Sequence, residues 1–145
     1  MARNSWDSYF LEIAQVVASR ATCDRRQVGA VFVRDKNILA TGYNGSITGL
    51  GHCDELGHDV EDHGEHGQHC VRTIHAEINA IVQAAKHGVR LRNSILYVTT
   101  CPCWHCFKAV ANLGAKRIVY RDDYKNDWRM LQAAKELGIL LEKLG

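Results

Sequence analysis

Two short stretches contain the residue types that metal-assisted hydrolysis needs: His75-Ala76-Glu77 and Pro102-Cys103-Trp104-His105-Cys106. One imidazole and two thiols make three ligands, so a tetrahedral zinc on His75, Cys103 and Cys106 keeps a fourth position for water, a catalytic arrangement. The cysteines are three apart and fall on one face of an expected first helical turn, where free amides and the positive dipole end favour thiolate over thiol. Neutral imidazole, two thiolates and Zn²⁺ sum to zero charge, and zinc in known sites lowers the pKa of its water from ~15.7 towards ~7. Glu77 stands two residues beyond the histidine ligand and is expected to carry protons between that water and the reacting group without binding metal. A lone His-x-Glu or a lone Cys-x-x-Cys is weak; the two together are not.

The remaining cysteines and histidines suggest a second centre. Cys53 and Cys70 bracket a segment carrying His52, His58, His63, His66 and His69, and Cys23 lies upstream. Three thiols and one imidazole suffice for a closed structural zinc site, and the expected set is Cys23, Cys53 and Cys70 with His58 or His69. Metal there would restrain a glycine-rich segment with little apolar content. Cys101 is given no ligand role, Trp104 and His105 are candidates for shaping the pocket mouth, with ordinary helix packing the alternative for Trp104, and His87 is read as a surface partner of a helix C-terminus.

Composition narrows the setting. The chain has 145 residues, 46% apolar and 23% charged, enough for one core and too short to suggest two, so residues 1–145 are read as a single domain. Its charge of +2 comes from 18 basic and 16 acidic residues that are interspersed, with no Lys/Arg block to hold a phosphate backbone; no nucleic-acid partner is expected. The polar start and the lack of a long apolar run point to a cytoplasmic protein with no membrane partner. In that reducing setting six cysteines beside eight histidines indicate metal or catalysis rather than disulfides.

These ligands need elements to position them. Trp6, Tyr9, Phe10, Ile13, Val16 and Val17 recur at helical spacing after Ser5, a good N-cap, which predicts a helix to about Ser19. Residues 28–33 and 38–43 read as strands joined by a hairpin turn at 34–37, and the Cys/His-rich insert at about 45–72 shows no period. A helix is expected from His75 to a terminator at Gly88, then a strand over 95–99, a helix opening at Pro102 and running to about Leu113, and a strand over 117–120. A helix over 127–137 and a strand over 139–141 close the pattern. The order α-β-β-α-β-α-β-α-β predicts a three-layer α/β/α sandwich on a mixed five-stranded sheet.

His-x-Glu opening one helix and Pro-Cys-x-x-Cys opening the next, with a strand between, is the signature of zinc deaminases. Across nearly its whole length the sequence resembles the deoxycytidylate (dCMP) deaminases of the cytidine deaminase superfamily, in the bacterial and phage type with a second zinc. The matching stretches are Arg25-Arg-Gln-Val28-Gly29-Ala30, Thr41-Gly42-Tyr43-Asn44-Gly45, His69 to Ala80, Tyr97-Val-Thr-Thr, and the segment from Val119-Tyr120 to Tyr124. The resemblance implies a cytidine deaminase-like fold and hydrolysis of dCMP to dUMP and ammonia, supplying dUMP for thymidylate synthesis. It implies zinc on His75, Cys103 and Cys106, Glu77 as proton shuttle, and a second zinc drawn from Cys23 and the insert. It places Val28, Gly29 and Ala30 against the pyrimidine and Asn44 on the sugar. Arg25 is the candidate for the phosphate end, as a guanidinium fork matches phosphate geometry, and Tyr124 for the base face. A homo-oligomer, a hexamer in the family, is implied as well, with dCTP activating, dTTP inhibiting and Mg²⁺ accompanying such an effector. The alternatives are deamination of dCTP, cytidine or a tRNA, and a zinc-stabilised binding module without activity.

Overall fold

The computed structural model describes residues 2–62 and 68–144; His63 and His66 lie outside the described residues, as does the side chain of His69. Helix α1 (Trp6–Ala18) starts on Ser5, whose hydroxyl accepts the Ser8 amide at 3.1 Å, and buries Phe10, Leu11, Ala14 and Ala18. Strands β1 (Gly29–Arg34) and β2 (Asn37–Tyr43) pair antiparallel, and Asp35 and Lys36 turn the chain with φ of 52° and 62°. Two successive left-handed residues match the twist of a tight hairpin, here without glycine.

The insert expected to lack regular structure has some. It holds a short helix α2 (Cys53–Leu56) and a hairpin of β3 (Val60–Asp62) and β4 (Gln68–Cys70). The alternation then runs α3 (Ala76–Lys86), β5 (Ile95–Thr100), α4 (Trp104–Asn112), β6 (Arg117–Asp122), α5 (Trp128–Leu137) and β7 (Leu140–Lys143). The helix expected to open at Pro102 opens at Trp104. Cys103 is its N-cap, extended at ψ 167°, and its carbonyl accepts the first helical bond from Phe107 at 2.9 Å.

The main sheet has the order β2-β1-β5-β6-β7. β1 is antiparallel to both neighbours, whereas β5, β6 and β7 run parallel through the crossovers of α4 and α5, so the mixed five-stranded sheet is as expected. Alternate residues serve opposite faces: Ala30, Phe32, Leu96, Val98, Ile118 and Tyr120 pack with α3, α4 and α5, while Val31, Val33, Tyr97 and Val119 pack with Phe10, Leu11 and Ala14 of α1. That alternation produces the three layers. Among the described residues no helix is long and apolar enough to cross a membrane.

Candidate metal centre and substrate cleft

Three stretches of chain converge at one end of the sheet: the start of α3, the start of α4, and the loop entering β1. α3 lies directly on β2 because Gly42 has no side chain; a Cβ there would overlap the backbone of Ala76 and Ala80. That contact fixes the first turn of α3. His75 is the N-cap of α3 and Cys103 the N-cap of α4, so the beginnings of both helices face one point.

At that point His75 Nδ1 lies 3.3 Å from Cys106 Sγ and 3.6 Å from Cys103 Sγ. A tetrahedral zinc with bonds of about 2.3 Å to sulfur and about 2.0 Å to nitrogen separates such donors by about 3.5 Å, so donor type and spacing fit the ion. His75 is open to solvent, Cys103 half-buried and Cys106 buried, which leaves the cleft side of the triad accessible. The hydrogen bond from Cys106 holds the Cys103 thiol down to about 3, against the effect of burial and with help from His75. The bond to Cys103 and burial push Cys106 up, and the Cys103 hydrogen bond raises His75. Glu77, on the first turn of α3, is 4% exposed, and burial pushes its carboxyl up to about 7. Burial pushes the Cys101 thiol beside it up to about 12, which suits a packing role rather than a ligand.

His75, Cys103 and Glu77 line a cleft of about 210 Å³ whose walls include Arg25, Arg26, Val28, Asn44 and Tyr124. The amide of Asn44 is engaged by the backbone on both sides: Oδ1 accepts from the Val28 amide at 2.8 Å, and Nδ2 donates to the Arg26 carbonyl at 2.6 Å. Asn44, expected on the sugar, holds the 26–28 loop in this structure, and its own backbone amide also donates to the Val28 carbonyl at 3.3 Å. Tyr124, expected on the base face, has the Arg26 guanidinium 4.4 Å from its ring centroid. Arg26 was not singled out from the sequence; the doubled arginine at 25–26 was the available signal. Gly29 and Ala30 are buried in β1, with the Gly29 amide donating to Thr99 Oγ1 at 3.2 Å.

A second cluster gathers Cys23, Cys53, His58 and Cys70, with all four donor atoms within 4.8 Å of one another. Cys23 Sγ is 3.4 Å from His58 Nδ1, and Cys53 Sγ is 3.5 Å from Cys70 Sγ. His58 Nε2 meets Asp24 Oδ1 at 2.9 Å, which turns Nδ1 towards the sulfurs, the arrangement of a histidine oriented by a carboxylate behind it. Burial raises Cys70, but backbone hydrogen bonds at Arg72 and Asp59 with contacts to His58 and Cys53 outweigh it and bring the thiol down to about 6; burial pushes Cys53 up to about 12. Cys23 and Cys70 also line the substrate cleft, so the cluster is one of its walls.

A five-stranded α/β sandwich with a His/Cys/Cys triad and a buried glutamate at two adjoining helix starts defines the zinc-deaminase class. The profile described as the cytidine and deoxycytidylate deaminase zinc-binding region matches residues 4–122, and the chain belongs to that family. It is 42% identical over 144 residues to ComE operon protein 2 of Bacillus subtilis, covering 99% of this chain and 74% of that protein. To the deoxycytidylate deaminase of Schizosaccharomyces pombe it is 38% identical over 145 residues, covering 97% of this chain and spanning 44% of that enzyme. The crystal structure of dCMP deaminase from the cyanophage S-TIM5, in complex with dCMP and dUMP, superposes with a TM-score of 0.78 at 29% identity, covering 99% of this chain and 100% of that one.

Proposed function

We propose that the chain hydrolyses dCMP to dUMP and ammonia, replacing the exocyclic amine of cytosine by oxygen from water. The observation that carries this is the buried Glu77 beside a His75/Cys103/Cys106 triad, in a fold that matches the cyanophage dCMP deaminase along its full length. His75, Cys103 and Cys106 would hold zinc, which when bound supplies a water acidic enough to be deprotonated near neutral pH. Glu77 would take one proton of the attacking water and pass it to the ring nitrogen, then take the second from the new hydroxyl on the ring carbon and pass it to the amine, which departs as ammonia as the carbonyl forms. Its burial keeps bulk water away from that transfer. Val28 in the cleft wall, with Gly29 and Ala30 buried next to it in β1, would support the pyrimidine, and Arg25 and Arg26 at the mouth favour an anionic nucleotide over a neutral nucleoside.

The same proposal assigns Cys23, Cys53, His58 and Cys70 to a second, structural zinc; four donors leave no position for substrate water, as a closed site requires. Family membership further supports a cytoplasmic homo-oligomer with dCTP and dTTP as effectors, with Mg²⁺ as their companion. The exposed apolar Trp6, Tyr9 and Val16 of α1 offer one contact face.

The test is ammonia release by the purified protein given dCMP, dCTP, deoxycytidine and a tRNA anticodon stem in parallel, with zinc counted per chain. Selective turnover of dCMP with about two zinc ions per chain is expected. Turnover of another substrate alone overturns the dCMP assignment, and zinc without any turnover overturns the enzymatic one.

A further inference from the structure

The donors of the triad are aimed by different means. Cys103 and Cys106 share the start of α4, where helix geometry sets their spacing. His75 stands alone ahead of α3, with Nδ1 turned to the two sulfurs. In the second cluster Asp24 orients His58 through its other ring nitrogen, whereas among the described residues no hydrogen-bond partner meets His75 Nε2. The backbone that carries His75 is held instead. Asn79, one turn along α3, donates from Nδ2 to the Tyr43 carbonyl at 2.8 Å and to the Ile74 carbonyl at 3.3 Å, which uses both hydrogens of its amide. Its backbone amide donates to the His75 carbonyl at 2.9 Å. The peptides before and after the His75 Cα are therefore both bonded to Asn79. Tyr43 ends β2, the outermost strand of the sheet, so the same side chain ties these peptides to the scaffold.

We infer that Asn79 is a positioning residue for the metal centre: by holding the two peptides that flank His75 it fixes the direction of the imidazole, the task that Asp24 performs for His58 from behind the ring. The inference rests on the reading of the triad as a metal site and adds a residue outside the cleft lining. Two fixed peptide planes set φ and ψ of the residue between them, and φ and ψ set where its Cβ points. A ligand whose backbone is already fixed gives up less freedom when the ion arrives, so the site holds the ion more tightly. Ile74 and Gly45 exchange amide-to-carbonyl bonds at 2.8 and 3.2 Å, which steadies the same stretch from the loop side but leaves the carbonyl of His75 itself to Asn79. Asn79 contributes through His75, and the four-donor cluster does not depend on it.

The experiment measures cobalt affinity, by competition with a colorimetric chelator, for chains carrying Asn79, Asn79→Ala or Asn79→Asp. Each is combined with His58→Ala, which isolates the triad, and with Cys103→Ala, which isolates the four-donor cluster. Asn79→Ala deletes the side-chain clamp; Asn79→Asp is isosteric and sets an oxygen against both carbonyls, so it serves if the Ala variant folds poorly. Both are expected to weaken cobalt at the triad by about 10- to 100-fold, the usual effect of losing an outer partner of a metal ligand, and to leave the four-donor cluster within about twofold. A triad affinity within about twofold of the Asn79 chain in both variants overturns the inference. A parallel loss at both sites overturns it as well, since that is what a general loosening of the fold gives. Ammonia release from dCMP by the zinc-loaded wild type, measured alongside, separates the two readings. Metal held at the triad through Asn79 but no turnover sinks the proposed function and leaves the inference standing. Turnover by a chain whose triad affinity ignores Asn79 sinks the inference alone, and a wild-type triad that binds no metal sinks both.

Discussion

Asp7 on α1 is the most informative place to perturb the scaffold. Its carboxylate accepts both terminal nitrogens of Arg117, at 2.8 and 2.6 Å, and the hydroxyl of Tyr97 at 2.7 Å, so one side chain ties α1 to β5 and β6. Tyr97 is 2% exposed and cannot turn to water, whereas Asp7 itself is 27% exposed by side chain. Asp7→Asn removes the charge and leaves one oxygen to face three donors. A charge-assisted pair contributes about 1.5–3 kcal/mol when shielded; partial exposure cuts that to about 1–1.5, and the orphaned tyrosine hydroxyl adds about 1. The expected loss is about 2–2.5 kcal/mol at neutral pH, or about 4–10 °C in melting temperature for a chain of this size. Arg117 and Tyr97 hold the Asp7 carboxyl below its ordinary 3.8. A lowered folded-state pKa means the stabilisation is complete above that ordinary value and disappears as pH falls through the lower one. Urea unfolding at neutral pH and in strong acid should therefore show a gap between wild type and variant that closes in acid. A gap under about 0.5 kcal/mol at neutral pH, or one that acid leaves unchanged, would refute the reasoning.

Other perturbations bear on the site. Glu77→Gln should keep its zinc and lower kcat by about 10²- to 10⁴-fold, the usual weight of a proton carrier, as read by metal analysis beside ammonia release. Gly42→Ala forces a methyl into the backbone of Ala76 and Ala80, so a loss of about 1–3 kcal/mol is expected with weaker zinc retention, checked by unfolding and by competition with a colorimetric chelator. His58→Ala should lower the zinc count by about one per chain and reduce the melting temperature, while the spectrum of cobalt substituted at the triad stays the same.

Much of this architecture was legible because its signals are periodic. Short runs rich in apolar and β-branched residues at 28–33, 95–99 and 117–120 gave the strands, and glycines at 88 and 138, both with positive φ, marked helix ends. The ligands were legible because thiol and imidazole spacing is set by helix geometry. What escaped the sequence depended on contacts between distant segments. The hairpin of β3 and β4 has strands of three residues each, too short for alternation to show. Pro102 suggested a helix start, but the chain leaving β5 needs extended residues to bring Cys103 beside His75, so the helix begins later. Asn44 could be placed near the substrate, yet its engagement by Arg26 and Val28 follows from where two loops meet. The pairing of Arg26 with Tyr124 spans nearly a hundred positions and leaves no local trace.

His75 and Cys103 occupy positions where serine, threonine or aspartate would ordinarily cap a helix, and neither side chain closes onto the amides it precedes. An ion drawing these two side chains together is therefore also a clasp on two helix starts. Stripping it should let the first turns of α3 and α4 unwind, with faster amide exchange at 76–79 and 104–107 than in the helix interiors. Glu77 rides on one of those turns. A chain starved of metal would lose the aim of its proton carrier together with its Lewis acid, and so fall silent rather than turn to some other chemistry.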